Sequence, residues 1–136
     1  MKNIQAVSSD CADLNMTFQV ADVQKPLASV HRIVEKGNRV NFGPGPQDNF
    51  IENGQTGDKI FMRKTPTGSF VLDIDFRDGG SSNIVVDSGA EENVCPKNWG
   101  SQFGLNDPRF PLLLKGAGGE KLDHHGERRV HFTAPF

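Results

Sequence analysis

The stretch Ser69 to Phe76 (SFVLDIDF) sets the tightest limit on the fold. Phe70, Leu72, Ile74 and Phe76 alternate with Val71, Asp73 and Asp75. A period of two sends successive side chains to opposite faces, so this is a half-buried strand. Other β-favouring runs repeat the theme: Thr17 to Val23 (TFQVADV), Arg39 to Phe42, Ile84 to Val86, Pro111 to Lys115 and Leu122 to Phe132. Phe50 to Ile51 and Lys59 to Met62 flank the turn-rich Gly54 to Asp58 and predict a hairpin. Gly43 to Pro46 (GPGP) is a breaker. A single segment has helical spacing, Pro26 to Lys36 (PLASVHRIVEK). Pro26 stands in its first turn, Leu27, Val30, Ile33 and Val34 form its apolar stripe, and Gly37 is placed to end it. Cys95 to Gly104 reads as irregular or one helical turn around Trp99, a core or groove-wall residue. Many short strands with one short helix make an all-β fold.

Length adds that 136 residues suit a single domain, 1–136. Within it, residues 1–16 are polar and aperiodic, a tail or loose edge strand. Residues 17–76 hold the helix and most strands. Residues 77–83 (RDGGSSN) read as a flexible link to 84–136. A hydrophobic fraction of 35% is low for a self-sufficient globule, and a second subunit would help cover the core. The formal net charge of −2 comes without a basic stripe, so no nucleic-acid partner is expected. No apolar run approaches the ~20 residues of a membrane span. Met1 to Asp10 lacks a signal-peptide core, and no membrane partner is expected.

Cys11 and Cys95 make neither a disulfide framework nor a zinc spacing. They read as free thiols in a reducing compartment, with one bridge as the alternative. His124, His125 and His131 lie close in sequence. On a strand, though, adjacent His124 and His125 face opposite ways, and no metal or other cofactor is expected. Asp73 and Asp75, with Asp78 nearby, read as an exposed strand face, because a calcium loop needs tighter ligand spacing and a closing Glu.

The chemistry concentrates in Ile84 to Val94 (IVVDSGAEENV). An apolar strand delivers Asp87 to the edge of a core. Ser88 can hydrogen-bond locally or across a symmetric junction, and Gly89 permits close backbone approach. Taken alone, DSGA also reads as a strand followed by a turn, with Asp87 a solvated turn residue. The chemistry it would otherwise suit is a pair of carboxylates held about 3 Å apart, which cannot both be ionised and share a proton. One then acts as base on a water and the other as acid on a scissile carbonyl. The chain holds one copy of this loop, so the second must come from a second chain across a two-fold axis.

The apolar strand followed by Asp87, Ser88, Gly89 and Ala90 resembles the active-site loop of retropepsins, the aspartic proteases of retroviruses and LTR retrotransposons. The resemblance implies an acid-protease barrel that acts as a symmetric homodimer, with Asp87, Ser88 and Gly89 catalytic. Ala90 and Glu91 would face substrate, and Glu91 and Glu92 would sit at the groove or bind the neighbouring chain. The glycine-rich Lys115 to Leu122 (KGAGGEKL) resembles the family's flap, with Gly116, Ala117, Gly118 and Gly119 as a tip that closes over an extended peptide. Phe18 to Phe42 resembles the family's strand-helix element, with Leu27-Ala28-Ser29 where two apolar residues and a Gly are usual. That element precedes the loop here and follows the flap in the family, so the order looks circularly permuted. Permutation must rebuild the family's interface sheet. Ser69 to Phe76, the tail before Thr17 and the terminal HFTAPF are the candidates to do so.

The expected activity is cleavage of peptide bonds in a retroelement polyprotein, sensitive to pepstatin-type inhibitors, in the cytoplasm or a retroelement particle. The alternative is a catalytically inactive retropepsin-like dimerisation or binding module. A Cys95 nucleophile would need a histidine partner and an activated setting, and no such signature surrounds it.

Overall fold

The computed structural model describes residues 11–77, 79–107, 114–115 and 119–135. In chain order these form β1 (Cys11–Ala21), β2 (Leu27–Ser29), α1 (Val30–Glu35), β3 (Asn38–Asn41), β4 (Phe50–Asn53), β5 (Lys59–Phe61) and β6 (Arg63–Lys64). There follow β7 (Phe70–Phe76), β8 (Ser81–Asp87), β9 (Val94–Cys95), β10 (Leu114–Lys115), β11 (Lys121–Leu122) and β12 (His124–Pro135). The largest sheet runs β12-β1-β9-β2-β8-β7-β6, and a further pairing of β12 with β7 closes six of these strands into a barrel. Closure removes the free edges of those strands. A three-stranded sheet, β3-β4-β5, and the β10-β11 hairpin complete the fold. No helix among the described residues is long and apolar enough to cross a membrane.

The mainly β reading with one short helix holds, and four local expectations change. The helix begins at Val30, not at Pro26. Leu27–Ser29 is drawn into the barrel instead, parallel to Val85–Asp87 and beside Val94. Ser29 stays extended and caps the helix, its Oγ accepting from the Arg32 N–H at 3.2 Å. Of the four-residue apolar stripe, Ile33 is 7% exposed and Val30 packs half-buried against the core, while Val34 is 51% exposed. The stretch expected as a flexible link at 77–83 is a hairpin connection. The Gly79 N–H donates to the Phe76 carbonyl and the Phe76 N–H to the Gly80 carbonyl, and Ser81–Asn83 already pairs with Asp73–Asp75. Val71, which alternation sets on the face of Asp73 and Asp75, is buried between β6 and β8.

Cys11–Asn15 is the opening of β1, which pairs antiparallel with β12 from Cys11↔Pro135 to Ala21↔His124. Phe76 and Asp75 pair with Phe132 and Thr133 on the other side of β12. The three segments named as candidates for an interface sheet thus pair with one another inside a single chain.

The core fills this barrel with Phe18, Val20, Ala28, Leu72, Ile84, Cys95, Val130 and Phe132. Trp99 packs edge-on against Phe18 and Phe76, with ring centroids 5.0 and 5.4 Å apart. Its indole N–H donates to Ser82 Oγ at 2.9 Å, so the polar end is satisfied. Arg128 is buried, and its guanidinium donates to the carbonyls of Lys97, Trp99 and Gly104, tying down the loop after β9.

The β1–β12 ladder slips by one residue at Val20/Ala21, and Gly126 sits at this bulge with φ 142°. A Cβ there would lie 2.5 Å from the Asn106 carbonyl oxygen, part of the Asn106–Glu127 bridge. Gly126→Ala is expected to cost roughly 2 kcal/mol or more in urea denaturation, since both the dihedral and the clash oppose a side chain.

Candidate active site

The Asp87 loop is the place where the chain puts an accessible carboxylate at the end of a core strand. Ile84 and Val86 are buried along β8, Asp87 is half-buried at its end, and Ser88 and Gly89 are exposed. The turn that follows is fixed by its own short polar contacts. The Gly89 N–H donates to Asp87 Oδ1 at 2.8 Å and the Ala90 N–H to the Asp87 carbonyl at 3.4 Å. One carboxylate oxygen is thereby held by the backbone.

Neighbouring elements clamp the loop from beneath. The Cα of Ser29 is the register partner of Asp87. Ser29 Oγ donates to the Ala90 carbonyl at 2.7 Å, and its N–H donates to Asn93 Oδ1 at 2.7 Å. Asn93 continues the clamp to β1, donating from its side chain to the Thr17 carbonyl and accepting at its own carbonyl from the Gln19 N–H. Arg32 on α1 grips Glu92 through two guanidinium nitrogens and also reaches Glu35 at 2.8 Å. Glu92, then Glu35, hold the guanidinium proton more tightly than usual. Glu92 is thus spent on an ion pair within its own chain, while Glu91 stays exposed. Ser29, Arg32 and Asn93 were not among the residues expected at the site. Ser29 had a legible signal, a hydroxyl three residues before Arg32 in cap position. The Arg32–Glu92 and Asn93 contacts join residues sixty or more positions apart and have none.

A cleft of about 480 Å³ opens beside the carboxylate. Leu27, Phe42, Phe70 and Val85 give it apolar walls, Lys25 stands at it, and Asp87 and Ser88 line it. Phe42 and Phe70 pack with their rings tilted by 52° and centroids 4.6 Å apart. A smaller depression is lined by Asp73, Ile74, Asp75 and Ser81–Asn83, and Asp73 there is already bound by the Arg63 guanidinium.

Of the expected flap residues, Gly119 is exposed in the β10–β11 turn with φ 87°. Leu114 pairs with Leu122 and Lys115 with Lys121, so the hairpin itself is present. Gly116, Ala117 and Gly118 lie outside the described residues.

The histidines go to separate partners, His124 Nε2 to Gln19 Oε1 and His125 Nε2 to Asp22 Oδ1, each at 2.8 Å. Among the described residues no three His, Cys, Asp or Glu side chains are grouped to hold a metal ion. Cys95 is a free thiol with no exposed surface. The side chain of Cys11 lies outside the description. Burial pushes the Cys95 thiol from 9.0 up to about 11, against the opposing pull of Arg128. A neutral, shielded thiol is a poor nucleophile. Between pH 9 and about 11 the folded state keeps a proton that the unfolded chain releases, so stability falls as pH rises through this window and is intact below it. Urea denaturation across that range should show the decline in the wild type, and Cys95→Ala should lack the part due to this thiol.

No protein family, curated protein or solved structure matched the chain in comparison.

Proposed function

We propose that this chain is an aspartic endopeptidase of retropepsin type with permuted element order, working as a homodimer in which each protomer contributes Asp87. The observation that carries the reading is the setting of that carboxylate. It stands at the end of a barrel strand, in an Asp-Ser-Gly-Ala turn clamped to the helix N-terminus, beside an open cleft with apolar walls. A side chain that served only as a solvated turn residue would not need its loop fixed from three sides.

In this reading two copies of the loop meet at a two-fold axis and share one proton. The ionised carboxylate takes a proton from a water, whose oxygen attacks the scissile carbonyl. The protonated carboxyl polarises that carbonyl, and a proton then passes to the leaving nitrogen as the C–N bond breaks. Ser88 supports the carboxylates or the junction between copies. The substrate is an extended polyprotein segment that adds as a strand under the β10–β11 hairpin, and the reaction uses no metal or cofactor.

The permuted order is compatible with the barrel. Cys11 and Pro135 are register partners, so joining them through a short loop and opening the chain elsewhere would leave every described pairing in place.

Cleavage of a mixed peptide library by the wild type and by Asp87→Asn, with and without pepstatin, tests the reading. Pepstatin-sensitive cleavage in the wild type should fall by about 10⁴-fold or more in Asp87→Asn, the scale of loss when a central catalytic group is removed. Activity should be highest at acid to mildly acid pH, where one proton is shared, and a rate that holds its plateau above neutrality would speak against a carboxylate pair. Specific activity should also fall on dilution as dimers separate. No cleavage by either protein would favour a binding or dimerisation module.

A further inference from the structure

We infer that the Ser29 hydroxyl is a positioning residue for the Asp87 carboxylate; this rests on the protease reading of the Asp87 loop. Ser29 is fully buried, and each of its polar groups apart from the carbonyl is committed to the site or to the helix beneath it. The N–H goes to Asn93 Oδ1, the hydroxyl hydrogen to the Ala90 carbonyl, and the Oγ lone pair receives the Arg32 N–H. Ala90 is the other end of the device. Its carbonyl is held by Ser29 and its N–H by the Asp87 carbonyl, so the turn between them has little freedom. The Gly89 N–H that grips Asp87 Oδ1 lies inside that turn. The direction of the carboxylate therefore depends on a hydroxyl that touches neither the carboxylate nor the cleft.

The resemblance places glycine at this position, and glycine could supply the N–H bond but not the other two. Removing the hydroxyl leaves the half-buried Ala90 carbonyl without this partner and the first turn of α1 uncapped. A misdirected carboxylate lowers the rate of the chemical step more than it weakens peptide binding along the cleft.

The test uses wild type, Ser29→Ala and the core variant Val130→Ala, which destabilises the barrel without touching the loop. Each is assayed for cleavage per pepstatin-titrated site and for amide hydrogen exchange. In Ser29→Ala, kcat should fall about 10- to 100-fold with KM within about twofold. Exchange at Gly89, Ala90 and Arg32 should quicken by about tenfold or more, while the β1–β12 amides change no more than in Val130→Ala. Val130→Ala should keep its kcat per titrated site. An unchanged kcat in Ser29→Ala, or an equal loss in Val130→Ala, overturns the positioning role. Unchanged exchange in the loop overturns the pin itself, whether or not the protein cleaves. A wild type that cleaves nothing overturns the protease reading, and the catalytic role of Ser29 with it, while the exchange pattern still decides the pin.

Discussion

Three residues of parallel pairing, Leu27–Ser29 against Val85–Asp87, hold the rest of this structure in place. Among the described residues β2 joins β8 on one side to β9 on the other, so the barrel wall would part there without it. The strand is short, and Ala28 at its centre has no exposed surface, so a larger side chain has nowhere to go. Because the pairing ends at Ser29↔Asp87, the helix must start where the carboxylate emerges. Cap and loop then become neighbours by register rather than by chance.

That arrangement makes the site a joint product of distant segments. β8 supplies the carboxylate, α1 supplies Arg32 for Glu92, and β1 receives Asn93 through Thr17 and Gln19. The loop residues themselves are small or polar and make few apolar contacts. Their order comes from hydrogen bonds to a buried framework, which suits a group that must be both accessible and directed. The chain supplies one such carboxylate in the loop, so the proposed chemistry depends on assembly in a way that the barrel's own folding does not.

Much of the architecture was legible because its strands obey simple patterns. Ser69 to Phe76 alternates and Phe50 to Met62 has an evident turn, and both became the strands they suggest. The position of Asp87 at a strand end was legible because an apolar run stops abruptly at a carboxylate and small residues. The failures have one cause, tertiary demand on local preference. Pro26 to Ser29 carries a helix-start signature, yet Leu27–Ser29 was claimed by the sheet. Arg77 to Asn83 has linker composition, yet turns a hairpin with the help of Gly79 and Gly80, both at positive φ. Contacts such as Asn93 to Thr17 span 76 positions, and no local pattern encodes them.

The long β1–β12 ladder also governs how the chain can reach this state. Gln19 and Glu127 meet across 108 positions and Asn15 and Arg129 across 114, so the barrel is dominated by distant partners. The ordering cost of bringing such partners together falls due before their contacts give any return, which slows folding. During synthesis β1 is made long before β12. Until then its backbone donors and acceptors face solvent along an unpaired edge that any neighbouring strand could occupy. The barrel therefore locks with its last long strand, and the interval before that step is when the nascent chain is most open to wrong partners.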